Sequence, residues 1–186
     1  MSVAIDIPEI RTERLILRAP AMDDLEPFAA FLASDRARFV GGPVPARRVA
    51  IRAFGHVAGL WLLRGYSCFV AEKLATPGAI GFFGLWFPAG WPEPEMSWSL
   101  WQGADEGKGL ATEAVRALLP WSFERTGLRT CISVIDAANH ASRRVAERVG
   151  ARIDAGAMRA ANSPGSPFYD AEDDHVTVYR HRRGAA

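Results

Sequence analysis

A short run of glycine, lysine and small polar residues carries the clearest chemical signal in this sequence. It reads Glu-Gly-Lys-Gly-Leu-Ala-Thr-Glu at residues 106–113 and leads into a helical pattern. Glycine lets the backbone turn its N–H groups inward, and the first N–H groups of a helix have no intrahelical partner. The helix dipole adds partial positive charge there. The run therefore suits a phosphate or pyrophosphate group, with a plain surface turn as the alternative.

The other reactive side chains indicate neither a nucleophile nor a metal centre. Cys68 and Cys131 lie within apolar runs and are interpreted as core residues. The four histidines show no metal-ligand spacing. A Walker-type nucleotide loop is a poorer match to the glycine run, because no Gly-Lys-Ser/Thr follows at the required distance. We therefore expect no metal in this protein.

Composition limits the classes of partner. Apolar residues make up 49% and charged residues 23% of the 186 residues, which fits a single globular domain spanning residues 1–186. The formal net charge of +1 gives no general attraction to nucleic acid or anionic membranes. No apolar run reaches membrane-spanning length, and residues 1–14 have no signal-peptide core. We expect a cytoplasmic protein that binds neither nucleic acid nor membranes.

Hydrophobic periodicity predicts the elements that position the glycine run. The predicted strands are residues 13–18, 66–72, 79–87, 95–101, 128–135 and 175–180. The predicted helices begin near Asp23, at Arg47, at Leu110 and after Asn139, and they end near Leu32, Leu63, Arg125 and Gly150. A tight turn is predicted at residues 76–78. The order of elements indicates a mixed α/β layer built on one sheet.

Two stretches depart from regular patterns. Pro120 lies inside the third helical pattern and should kink or break that helix, because an interior proline removes a backbone donor. Residues 155–174 are rich in small, proline and acidic residues and are predicted to form a long loop.

The motifs together resemble the GNAT N-acetyltransferase superfamily, in particular the branch of the ribosomal-protein N-terminal (RimJ/RimL-type) acetyltransferases. The resemblance rests on Thr-Glu-Arg-Leu-Ile-Leu-Arg at residues 12–18, on Gly-Lys-Gly-Leu-Ala-Thr-Glu-Ala at residues 107–114 and on residues 139–151. It covers nearly the whole chain. It implies an α/β (α+β) fold with one mixed, mostly antiparallel sheet of about six to seven strands and about four helices.

The resemblance also implies a site for acetyl-CoA between the strands at residues 95–101 and 128–135. The pyrophosphate motif of the family falls on Glu106, Gly109 and Ala111, and the acidic Glu106 departs from it. We expect that side chain to turn outward, away from the phosphates. The residues expected to contact the cofactor are Trp98, Ser99, Leu100, Glu106, Gly107, Lys108, Gly109, Leu110, Ala111, Thr112, Asn139 and Ser142. For Asn139 a plain helix N-cap is the alternative.

Direct attack of an amine on the thioester is the implied chemistry, without an acyl-enzyme. It needs a neutral amine, an oxyanion donor near residues 98–100 and a proton for the leaving thiolate. The tyrosine that many relatives use as the acid is replaced here by Ala146, so Ser142 is the candidate acid. Glu95 is the candidate base, with Glu93 and Glu113 as weaker candidates and direct proton loss to water as an alternative.

The resemblance implies a primary amine of a protein, a peptide or a small molecule as the acceptor. One alternative is a CoA-binding sensor or interaction module without turnover. Another is an aminoglycoside-type resistance acetyltransferase, which would need an acidic rim from Glu93, Glu95 and residues 170–174. Trp86 and Trp91 either wall the acceptor site or pack the sheet. The assembly state is open, with a homodimer among the alternatives.

Overall fold

The computed structural model describes residues 5–171 and 175–184, which form one eight-stranded sheet flanked by helices. The strands are β1 (Ile10–Arg11), β2 (Leu15–Arg18), β3 (Cys68–Lys73), β4 (Thr76–Trp86), β5 (Glu95–Leu100), β6 (Thr130–Asp136), β7 (Arg152–Ile153) and β8 (Val176–Arg182). The α-helices are α1 (Leu25–Leu32), α2 (Arg47–Arg64), α3 (Leu110–Thr126), α4 (His140–Arg148) and α5 (Ala155–Ala161). None of the helices in these two ranges is long and apolar enough to cross a membrane.

The strand order is β1-β2-β3-β4-β5-β6-β8-β7. Every neighbouring pair is antiparallel except β5 and β6. A parallel pair needs a crossover connection, and α3 provides it between β5 and β6. The glycine run therefore lies at the start of that crossover, beside the carboxyl end of β5.

The two faces of the sheet are covered by different helices, because successive residues of a strand point to opposite sides. On β3, Phe69 and Ala71 pack in the cluster that contains the buried face of α3. Cys68 and Val70 pack in the cluster formed with α1 and most of the buried face of α2. In α3 the buried side chains recur at helical spacing: Leu110, Ala111, Ala114, Val115 and Leu118.

These observations confirm the mixed, mostly antiparallel sheet, with more elements than the sequence predicted. The extra strands β1 and β7 have two residues each, too short for a periodic pattern. The prediction of a continuous loop over residues 155–174 is wrong in its first part, where α5 forms. Asp154 caps this helix by accepting from Gly156 N and Ala157 N, and Ala161 is buried against Val178.

The predicted turn at residues 76–78 is also wrong. The chain reverses at Leu74 and Ala75, and β4 already begins at Thr76. Glycine and proline mark this place because the β3–β4 pairing is irregular there, with register shifts on either side of Glu72.

Of the kink or break predicted at Pro120, the break is wrong, because α3 is continuous from Leu110 to Thr126; the kink stays a prediction. Pro120 is exposed, so the carbonyl of Arg116, which loses its helical partner, lies on the solvent side, where water can satisfy it.

Replacing Pro120 tests this arrangement. Pro120→Ala restores the missing N–H donor in a continuous helix, where an interior proline costs roughly 3 kcal/mol. We expect a higher free energy of unfolding in urea titrations. Glu124→Ala, at an exposed position of the same helix, should change it little. A less stable Pro120→Ala protein would show that the helix depends on the proline.

Candidate active site

The site begins where β5 and β6 stop pairing, a feature that we call the fork. Their only paired residues in the described chain are Glu95 and Ile132, and Ile132 N donates to Pro94 O at 3.0 Å. A continuing parallel ladder would next join Val134 N–H to Met96 C=O. Instead, each of these two backbone groups forms a hydrogen bond with a side chain. Val134 N donates to Glu95 Oε1 at 3.2 Å, and Ser133 Oγ donates to Met96 O at 2.6 Å.

The fork leaves backbone groups of β5 facing an opening. Because Met96 C=O points toward β6, alternation along the strand directs the backbone of Trp98 and Leu100 to the same side. Ser99, which pairs with Phe82 of β4, directs its backbone the other way. Of the three predicted contacts on this strand, Trp98 and Leu100 therefore offer backbone groups to the opening.

A cavity of about 580 Å³ follows this opening from the glycine run to the start of α4. A smaller cavity of about 80 Å³ continues from it along the fork to Glu95. The two share Phe39, Val40, Trp98, Asn139 and Ser142. The predicted cofactor residues that line the larger cavity are Trp98, Ser99, Leu100, Glu106, Gly107, Gly109, Leu110, Ala111, Thr112, Asn139 and Ser142.

The glycine turn (residues 106–109) is held from outside by Arg14, the residue before β2. Gly107 and Gly109 have φ of 72° and 78°, in the left-handed region that glycine adopts without a Cβ penalty. Arg14 Nη1 donates to Lys108 O at 3.0 Å, and Arg14 is itself paired with Glu113 of α3. Lys108 is exposed and is the one predicted cofactor residue absent from the cavity lining.

Arg36 compensates the acidic residue of the glycine turn. Its Nη2 donates to Glu106 Oε1 at 2.7 Å and to Leu100 O at 3.1 Å. The Glu106 side chain is 58% exposed. Arg36 belongs to a 3-10 helix at Asp35–Phe39, so sequence reasoning missed it: no local pattern joins two residues so far apart. The lining of the larger cavity also contains Arg38, Arg144 and Arg148.

Ser142 and Asn139 meet at the start of α4. Asn139 Oδ1 accepts from Ser142 N at 3.1 Å, which makes Asn139 the N-cap of this helix. Trp98 Nε1 donates to Ser142 Oγ at 3.2 Å. The hydroxyl of Ser142 therefore accepts from the indole and keeps its own hydrogen for another acceptor in the cavity.

Glu95 is a buried carboxyl at the closed end of the fork, with 9% of its surface exposed. Trp91 Nε1 donates to its Oε2 at 2.8 Å. Burial raises the pKa of Glu95 to about 7, although the hydrogen bonds from Trp91 and Val134 act to lower it. A carboxyl with this pKa can exchange a proton near neutral pH.

The alternative acids are engaged in structural contacts. Glu93 accepts two hydrogen bonds from the guanidinium of Arg180, at 2.7 and 2.9 Å. Glu113 binds Thr12 Oγ1 at 2.6 Å and the backbone N–H of Arg14 at 2.8 Å. Both carboxylates hold elements together. Residues 172–174 of the expected acidic rim lie outside the described residues.

The remaining candidates lie in the core or away from the two cavities. Cys68 and Cys131 are buried free thiols, as predicted, and burial raises the pKa of each to about 12. Ala146 is fully buried. Trp86 contacts His56, with ring centroids 5.1 Å apart. Residues 5–171 and 175–184 contain no group of three or more His, Cys, Asp or Glu residues able to hold a metal ion.

A family model and solved structures both relate this chain to acetyltransferases. A family model described as an acetyltransferase (GNAT) domain matches residues 14–152. A solved acetyltransferase from Agrobacterium tumefaciens strain C58 is 33% identical, with a TM-score of 0.80, over 98% of this chain and 99% of that chain. Two more distant structures share the fold. A RimL ribosomal L7/L12 alpha-N-protein acetyltransferase in complex with coenzyme A is 18% identical, with a TM-score of 0.72, over 96% of this chain and 100% of that chain. A ribosomal-protein-S5-alanine acetyltransferase from Vibrio fischeri is 14% identical, with a TM-score of 0.67, over 96% and 98%.

The raised pKa of Glu95 makes a prediction about stability. Between its ordinary value of 4.5 and about 7, the unfolded chain has released this proton while the native protein retains it. The contribution of the protonated carboxyl is complete below pH 4.5, falls as the pH rises and is lost above about 7. Glu95→Gln removes this dependence.

Urea unfolding of both proteins at pH 4.5 and pH 8 should reveal the difference. We expect the wild type to lose on the order of 3 kcal/mol more than Glu95→Gln over this range. The control Glu124→Gln, at an exposed glutamate of α3, should follow the wild type. Parallel profiles for wild type and Glu95→Gln would show an ordinary pKa.

Proposed function

The chain belongs to the GNAT acetyltransferase family, and from that premise we propose that it transfers an acetyl group from acetyl-CoA to a primary amine. One observation carries the proposal: the fork, the glycine turn and the buried Glu95 line two cavities that share five lining residues. An anion site, unpaired strand backbone and a proton acceptor are thus arranged along one path.

The groups that line the larger cavity fit coenzyme A. The N–H groups of the glycine turn and of the first turn of α3 suit the pyrophosphate. Arg36 offsets the carboxylate of Glu106 beside it, and the other arginines of the lining add positive charge around it. The backbone of Trp98 and Leu100 offers strand-like hydrogen bonds to the amide-containing pantetheine arm.

The fork supplies the groups that acetyl transfer needs. Acetyl-CoA brings a thioester, whose carbonyl oxygen gains negative charge when an amine attacks. The N–H of Trp98 is the proposed oxyanion donor. Glu95, whose pKa is about 7, accepts the proton of the amine, and the Ser142 hydroxyl offers its hydrogen to the departing sulfur.

A CoA-binding module without turnover is the second candidate. The observation that favours it is Ala146, which is fully buried and places no acid where many relatives have a tyrosine. An aminoglycoside-type acceptor has less support, because Arg180 already neutralises Glu93. A clear release of CoA with even one amine, dependent on Glu95 or Ser142, would exclude the module.

The glycine turn gives a test of cofactor binding. A Cβ added to Gly109 would lie 3.7 Å from Arg14 Nη2, an ordinary contact, but φ of +78° is unfavourable for any other residue. We expect Gly109→Ala to relax the turn, misdirect its N–H groups and weaken acetyl-CoA binding about tenfold or more in calorimetry.

Gly127→Ala is the matched control, because Gly127 ends the same helix at φ of +72° with nothing within 4 Å of an added Cβ. It should cost similar stability and leave the affinity for acetyl-CoA unchanged. Equal affinities for both variants would place the phosphates elsewhere, and no binding by the wild type at millimolar ligand would refute the proposed function.

The choice of amine follows from protonation. At pH 7 about a tenth of an α-amino group is neutral, but less than a thousandth of a lysine side chain. We therefore propose that α-amines of peptides or small molecules are preferred. Peptides with a free N-terminus should release CoA at least tenfold faster than matched peptides with a blocked N-terminus and one free lysine. Glu95→Gln should slow turnover roughly 100-fold with cofactor binding retained. Faster lysine acetylation at neutral pH would overturn the preference.

A further inference from the structure

A buried serine–histidine pair lies behind the fork and has no role in the chemistry described above. Ser133 of β6 is 1% exposed and His181 of β8 is 2% exposed. Ser133 Oγ is 2.9 Å from His181 Nε2 and 2.6 Å from Met96 O. The pair thus joins β8 and β6 to β5 at the point where the β5–β6 ladder ends.

The direction of each hydrogen bond in this pair is determined. Met96 O can only accept, so the hydroxyl hydrogen of Ser133 points to it. The ring nitrogen facing Ser133 Oγ must then donate, which assigns the hydrogen of His181 to Nε2. Burial lowers the pKa of His181 to about 4, so the ring is neutral at pH 7. Its Nδ1 has no partner among the described residues.

Ser133 and Glu95 together replace one missing hydrogen bond of the ladder, each satisfying one of its two backbone groups. Ser133 donates to Met96 O, and Glu95 accepts from Val134 N. Buried backbone N–H and C=O groups require hydrogen-bond partners. Here both groups have one, although they do not pair with each other. We propose that Ser133, oriented by His181, is a positioning residue that holds the fork open and so presents the Trp98 amide and the Glu95 carboxyl to the reacting groups. This inference rests on the proposed function.

Removing the hydroxyl would favour closing of the fork. Without Ser133 Oγ, Met96 C=O lacks a donor and becomes the natural acceptor for Val134 N–H. That rung would take the N–H away from Glu95, and the pKa of Glu95 would rise because this hydrogen bond acts to lower it. The next rung would lead Trp98 N–H toward β6 and out of the opening.

The main test is Ser133→Ala with three measurements. We expect turnover to fall about tenfold or more and the affinity for CoA to fall by a smaller factor, because the glycine turn keeps its contacts while the backbone of Trp98 turns away from the opening. The pKa of Glu95, followed by the NMR shift of its carboxyl carbon, should rise by half a unit or more. Ser133→Thr, which keeps the hydroxyl on a β-branched side chain suited to a strand, should restore both.

The controls separate positioning from general stability. Ser67→Ala removes another buried serine hydroxyl, one without a partner among the described residues, and should leave turnover and the pKa of Glu95 unchanged. His181→Phe, which removes the donor to Ser133, should shift the pKa in the same direction as Ser133→Ala. If Ser133→Ala fails to fold, as judged by thermal melting, this variant decides the outcome.

The two hypotheses fail in different ways. An unchanged pKa of Glu95 in folded Ser133→Ala or His181→Phe would overturn the positioning role even if the wild type acetylates amines. A raised pKa together with no turnover by the wild type on any amine would uphold the fork device and refute the proposed function.

Discussion

The site depends on one backbone hydrogen bond that is not made between two parallel strands, from Val134 N–H to Met96 C=O. Buried N–H and C=O groups must be satisfied, so β5 and β6 can separate only where other groups replace the ladder. Glu95 and Ser133 do so from opposite strands. Beyond that point the backbone of Trp98 faces the opening, because strand alternation fixes its direction. The strand-like docking surface and the cavity along it are consequences of this replacement.

Electrostatics divides the site into two regions. Around the glycine turn, arginines line the cavity, and its two carboxylates are each paired with a cation: Glu106 with Arg36 and Asp105 with Lys73. At the fork, by contrast, Glu95 is buried with hydrogen-bond donors but no cation within salt-bridge distance among the described residues. Burial therefore outweighs the two hydrogen bonds and raises its pKa. One end suits an anionic ligand, and the other suits a group that must gain and lose a proton.

Local patterns in the sequence predicted what is local in the structure. The strand at β5, the glycine turn and α3 follow one another along the chain, so periodicity and turn chemistry were sufficient for them. Arg36 could not be predicted, because its partner Glu106 comes from a distant segment and no pattern links the two. The replaced rung could not be predicted either, since serine and glutamate in strands have many partners. The break predicted at Pro120 is absent because the carbonyl that loses its helical partner lies on the exposed face of α3, where water can satisfy it.

The segment at residues 155–171 supports the site, and the loop prediction is wrong only where α5 forms, at Ala155–Ala161. Phe168 packs edge-on against Trp91, with ring centroids 4.9 Å apart, and Trp91 donates to Glu95. Phe168 also packs against the cluster that joins α5 to β6 and β8. Phe168, which lies beyond α5 where the predicted loop is observed, therefore supports the position of the indole and through it one of the two hydrogen bonds that lower the pKa of Glu95. A stretch of small residues and prolines thus contributes to the proton affinity of the buried carboxyl.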